Sequence, residues 1–127
     1  MADFTYRPID RLIVVRATVV GKGRRFHGNF ILDTGASMTI ISTDRVDLMG
    51  FSAQKDGIGF SNVQSPIGKE SGYRVRLDAF EALGKKVDAL EIACHDLGVH
   101  NIDGLIGMNF LEYFKFCIDA SKHMISC

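Results

Sequence analysis

The run Phe30-Ile31-Leu32-Asp33-Thr34-Gly35-Ala36-Ser37 carries one carboxylate on the end of an apolar segment straight into a glycine turn, and Ile40-Ile41 then resumes the apolar pattern. That order puts the acid where a buried strand ends, beside a residue whose missing side chain lets other backbone come close. A surface turn that is merely rich in Asp and Gly has polar neighbours. Here the neighbours are aliphatic on both sides, with a small residue and a hydroxyl following the glycine. The acid is therefore delivered into the fold. The chain holds a single Asp-Thr-Gly, and Asp103-Gly104, its nearest imitation, lacks the hydroxyl residue between.

Period-two alternation dominates the rest. Ile13, Val15, Ala17 and Val19 make one apolar face while Arg16 and Thr18 point the other way. Gly21 to Gly23 supplies a turn, and Phe26, Gly28, Phe30 and Leu32 form the second arm of a hairpin that ends at Asp33. A short strand over Met38 to Ile41 and one helical turn from Asp44 to Met49 follow. Gly57, Gly59, Gly68 and Gly72, with Pro66 and several serines, mark a loop or long hairpin. Tyr73, Val75 and Leu77 read as a half-buried strand, Gly84-Lys85-Lys86 turns the chain, and Leu90, Ile92 and Cys94 make the return strand. A helix is predicted over Met108 to Lys115, where Leu111 and Phe114 share a face and Phe110 meets Phe114. A last hairpin turns at Ala120-Ser121-Lys122. The pattern predicts a mostly β fold with one short helix near the C-terminal end.

With 127 residues the chain is expected to form one domain, 1–127, large enough for a core and too short for two. Fifteen basic side chains balance fifteen acidic ones, which leaves no electrostatic footprint for nucleic acid or an anionic membrane. Lys22-Gly23-Arg24-Arg25 lies between strand-like segments and reads as a solvated hairpin tip. Cys94, Cys117 and Cys127 are odd in number and lack metal-type spacing, which points to a reducing compartment. No charged-then-apolar leader and no run of membrane-spanning length is present, so the expected setting is cytoplasmic, or that of a soluble domain within a longer precursor. His95 and His100 are five apart and His27 and His123 are distant, without the tight pairing that puts two imidazoles on one face. They read as ordinary polar surface, and neither a metal nor a cofactor is expected. Cys94 and His95 do not form a dyad, since adjacent strand residues point to opposite faces.

The turn resembles the active-site turn of an aspartic protease, and that resemblance implies hydrolysis by a water activated between two acids. Two carboxylates then share one proton: one activates the water while the other protonates the substrate carbonyl. Like charges about 3 Å apart cannot both ionise, which keeps the shared proton in place. With one such acid per chain, the second is expected to come from another copy across a two-fold axis.

Ile31 to Ser37 resembles the catalytic turn of the retropepsin-like aspartic proteases. Leu105-Ile106-Gly107 is similar to the two apolar residues plus glycine that these enzymes place beneath that turn. The stretch Ile102 to Leu111 resembles the bacterial single-domain members more than the retroviral ones. The resemblance runs from about Ile13 to the C-terminus. It implies a retropepsin-like closed β-barrel or sandwich with one short C-terminal helix, half of a pepsin-like bilobal fold, completed as a homodimer, and an aspartic endopeptidase activity on peptides. It further implies that Asp33 is the catalytic carboxylate, that Thr34 reaches across the dimer to the opposite turn, and that the Gly35 N–H holds the carboxylate. Ala36 and Ser37 would border the substrate, Gly107 would be the structural glycine under the turn, and Pro66, Ile67 and Gly68 would belong to a flap that closes over it. The peptide would bind as an added strand. Phe4 to Tyr6 and Met124 to Cys127 are the segments expected to pair between chains. Met108 departs from the charged residue that retroviral members often carry there, and the flap is less glycine-rich than theirs. The rival expectation is a non-catalytic dimeric peptide-binding or assembly module on the same fold. Against it, such a module has no use for two like carboxylates at its interface.

Overall fold

The computed structural model describes residues 1–65, 68–98 and 101–127, with 63–65 and 68–71 described by backbone alone. Two short strands, β1 (Asp3–Thr5) and β2 (Arg7–Ile9), lead into β3 (Leu12–Gly21) and β4 (Arg24–Leu32). These last two form the predicted long hairpin, in register from Val14↔Ile31 to Gly21↔Arg24. Its turn residues Lys22 and Gly23 both take positive φ, 54° and 69°, the hand that suits the twist of the flanking strands. After the acid turn come β5 (Ile40–Ser42), α1 (Thr43–Leu48) and α2 (Ala53–Asp56). β6 (Gly59–Ser65) and β7 (Gly68–Arg76) form a second hairpin, and β8 (Ala79–Ala82) and β9 (Lys85–Asp88) a third. β10 (Glu91–His95), β11 (Gly104–Ile106), α3 (Met108–Leu111), β12 (Cys117–Asp119) and β13 (Met124–Ser126) complete the chain.

Most of this is the predicted mostly β fold, with three differences. α2 is an added helical turn, capped reciprocally: the Ser52 hydroxyl accepts from the Lys55 N–H while the Ser52 N–H donates to Asp56. The Gly84 turn belongs to the β8–β9 hairpin, which is inserted between β7 and β10. β7 and β10 still pair antiparallel, Val75↔Ile92. The helix expected to reach Lys115 stops at Leu111, because Tyr113 and Phe114 donate to Phe110 and Leu111, three residues back.

The main sheet runs β6-β7-β10-β5-β11-β4-β3-β8-β9, with β2 on β3. β11 lies parallel to β4 and antiparallel to β5, so it separates the strand that enters the acid turn from the strand that leaves it. A smaller sheet runs β1-β13-β12. Met124–Ser126 is therefore paired on both sides within its own chain, and the interchain pairing expected of it has no open edge in this arrangement. The outer edges of that sheet are β1 and β12.

The core is built on a file of aromatic rings. Phe30, Phe80, Phe110 and Phe114 meet edge to face at centroid distances of 5.3, 5.1 and 5.2 Å, and Phe116 continues the file at 6.3 Å. Each such pair contributes about 0.5–1.5 kcal/mol beyond its burial. Phe110 is the ring that fixes α3, directly after Gly107, against the sheet. All three cysteines are free thiols, Cys94 and Cys127 buried and Cys117 exposed. No helix among the described residues is long and apolar enough to cross a membrane.

Candidate active site

The acid turn is built from the β4–β11 pairing. The Asp33 N–H donates to the Ile106 carbonyl at 3.0 Å, continuing the ladder one rung past Leu32. The chain then folds back on itself. The Ala36 N–H donates to the Asp33 carbonyl at 3.1 Å, and the Gly35 N–H donates to Asp33 Oδ1 at 2.9 Å. The carboxylate is thus held by the backbone of its own turn. A side chain at 35 would put its Cβ 3.2 Å from that same oxygen. From the other side, the Met108 and Asn109 N–H groups donate to the Ala36 and Ser37 carbonyls. This contact explains Gly107: a Cβ there would lie 2.5 Å from Met38 backbone and 2.9 Å from the Ala36 carbonyl, atoms that cannot move aside.

A cleft of about 440 Å³ opens over the turn. Asp33, Ala36 and Ser37 form one wall, Ile40 and Leu105 supply apolar surface, and Ser61 and Asn62 of β6 line the far side. The glycine-rich stretch after Asp56 therefore folds as the hairpin of the two predicted alternatives. Gly68 opens β7 opposite Ser65, while Pro66 and Ile67 lie outside the described residues. A larger hollow of about 720 Å³ lies elsewhere, around Arg45, Asp96 and Asp103. Its best-buried acid, Asp103, is already engaged by Arg45 at 2.9 Å and by the Asn29 N–H.

Residues 15–110 match the family model described as aspartyl protease. The chain belongs to the aspartyl protease family. No curated protein matches it. Among solved structures it is similar to a retropepsin-like aspartic protease from Rickettsia conorii, with a TM-score of 0.71 and 22% identity over 98% of this chain and 88% of that one. It is also similar to the EIAV protease in complex with an inhibitor, with a TM-score of 0.61 and 12% identity over 84% of this chain and 91% of that one. At such identities the likeness is one of fold, and that fold is retropepsin-like.

In this aspartyl protease the turn rests on a polar brace that the sequence does not announce. Thr39 is fully buried. Its N–H and hydroxyl both donate to Asn109 Oδ1, at 2.7 and 2.8 Å, and its hydroxyl oxygen accepts from the Gly107 N–H at 3.1 Å. Asn109 Nδ2 in turn donates to the Glu91 carbonyl at 2.7 Å. Three segments, around Thr39, Glu91 and Gly107–Asn109, are tied by two side chains that lie 70 residues apart.

The histidines divide. His27 bonds the Thr18 hydroxyl on the exposed hairpin, and the His123 ring meets Tyr6 at 5.6 Å. His100 lies outside the described residues. His95 corrects the expectation of polar surface: it is 3% exposed, with Nε2 2.9 Å from the Ser61 hydroxyl. The reason is its strand. β10 runs between β7 and β5 and is covered on both faces, so Cys94 and His95 are both buried although they point opposite ways. Among the described residues, no three His, Cys, Asp or Glu side chains come together in a way that would hold a metal.

Burial pushes the Cys94 thiol up from an ordinary 9.0 to about 12, with the Asp47 charge adding to the effect. Burial likewise raises Tyr73, its neighbour across the strands, from 10.0 to about 12. For an acid raised in this way the unfolded chain loses its proton first. The stabilisation is complete below about pH 9 and is lost as pH rises toward 12. Melting temperature should accordingly be flat across neutral pH and decline above about pH 9, and Cys94→Ala should make that decline shallower. Thermal melts in a pH series check both.

Proposed function

We propose that the chain is an aspartic endopeptidase that hydrolyses peptide bonds with a water held between two Asp33 carboxylates, one from each chain of a homodimer. One observation carries the reading: a carboxylate fixed by the Gly35 N–H at the end of β4, in a cleft, in a chain that supplies just one such turn. The ionised carboxylate takes a proton from the water as its oxygen attacks the peptide carbon. The protonated carboxyl gives its proton to the carbonyl oxygen. The C–N bond then breaks as the nitrogen is protonated. Thr34 is exposed at the turn, where it can meet the opposite chain. Ala36 and Ser37 border the peptide, and Gly107 seats the turn. The β6–β7 hairpin acts as the flap, the stretch to which the sequence assigns Pro66, Ile67 and Gly68 as substrate-binding residues, and the substrate lies extended beneath it. The chemistry asks for no cofactor, and the three free thiols suit a reducing, cytoplasmic setting.

Incubation with a denatured protein over a dilution series tests this reading. Fragments should appear, and activity per chain should fall as dilution releases monomers. Tight peptide binding without cleavage at any concentration would favour the binding module. Undiminished turnover by a sedimentation-defined monomer would remove the shared site.

A further inference from the structure

His95 is a buried imidazole that the acid chemistry does not use. Its Nε2 lies 2.9 Å from the Ser61 hydroxyl on β6. Its ring also occupies the space over Gly72 on β7, where a Cβ would stand 2.7 Å from Cε1 and 2.8 Å from Nδ1. Ser61 and Gly72 are register partners, so the imidazole crosses both strands of the hairpin at one rung. It meets a hydroxyl on one strand and a missing side chain on the other. β10 itself is locked between β7 and β5. β6, by contrast, is an edge strand whose ladder runs to β7. Ser61 also lines the cleft that holds Asp33.

We infer that His95 is a positioning residue for the substrate-covering hairpin: through Ser61 it fixes the β6 wall of the cleft at the height where a peptide is gripped. This rests on the protease reading for what the hairpin covers, though not for the tether itself. A ladder to β7 alone leaves β6 free to swing out with the hairpin. A side-chain bond to an interior strand opposes that motion; the missing side chain at Gly72, which the Cys94 carbonyl also demands, leaves the ring its path.

Three substitutions and two measurements test the inference: Ser61→Ala, His95→Phe, which keeps ring bulk without the bond, and His95→Gln, which keeps a bonding group. Hydrogen exchange at the Gly59 to Asn62 amides needs no substrate, and peptide cleavage gives KM and kcat separately. Ser61→Ala and His95→Phe should speed exchange there, and raise KM, by about five- to tenfold, with kcat within about twofold. His95→Gln should restore most of both, and the double variant should be no worse than either single one. If His95→Phe does not fold, Ser61→Ala, which alters a half-buried hydroxyl, carries the test. Unchanged exchange and KM in Ser61→Ala would overturn the inference while leaving a working protease intact. A kcat lower by orders of magnitude would overturn it too, in favour of Ser61 as a nucleophile paired with the imidazole. Faster exchange in a protein that never cleaves peptide would keep the tether and remove the protease reading.

Discussion

Asp33→Asn should lower kcat/KM by about 10³-fold or more while leaving the melting temperature near that of the parent chain. The separation of the two effects follows from the geometry. Asn keeps the shape of Asp, and its Oδ1 can still accept the Gly35 N–H that now lies 2.9 Å from the carboxylate. The Asp33 backbone bonds to Ile106 and Ala36 do not involve the side chain. The turn therefore survives. What is lost is a group able to take a proton from water and return it, and in a homodimer it is lost from both sides at once. Mixing the variant with the parent chain sharpens the result. If chains exchange freely, an equimolar mixture holds about one quarter parent–parent dimers, so activity should follow the square of the parent fraction. A straight-line dependence on that fraction would mean that each chain works alone, and the shared-proton mechanism would fall with it.

The acid turn and the β3–β4 hairpin were readable from residues because their causes are local. Alternation sets a strand's face, and Lys22-Gly23 sets the hairpin turn. Gly107 was readable through its company, two apolar residues ahead of it, although the reason for the glycine is a backbone contact with Met38. What escaped the sequence depends on neighbours distant along the chain. Thr39 looks like any strand threonine and Asn109 like any residue entering a helix, until β11 brings them together. His95 alternates like a surface residue, and its burial follows from β10 lying between two other strands. The end of α3 is set by a switch to bonds three residues back at Tyr113 and Phe114, which no helical period encodes. The C-terminal strand looked open for a partner chain because its own partner, β1, comes from the opposite end of the sequence.

The brace under the turn makes the largest stability prediction. Asn109→Ala removes three hydrogen bonds and leaves the Thr39 N–H and hydroxyl without their acceptor in a place with no solvent exposure. A buried donor stranded in this way costs about 1–3 kcal/mol, so two of them, with the lost bond to Glu91, should cost about 3–5 kcal/mol in all. For a chain of this size the melting temperature should fall by roughly 10 °C or more, compared at one protein concentration because the proposed dimer would add to stability. Activity should fall as well, since the same residues hold the Ala36 and Ser37 carbonyls in place through the Met108 and Asn109 N–H groups. Thr39→Val should cost less, because it strips only the hydroxyl and with it the acceptor of the Gly107 N–H. The double variant should lose less than the sum, as both act on one network. A normal melting curve for Asn109→Ala combined with lost cleavage would refute the brace and place Asn109 on the substrate instead, because only a support whose removal unfolds the turn couples stability to activity in this order.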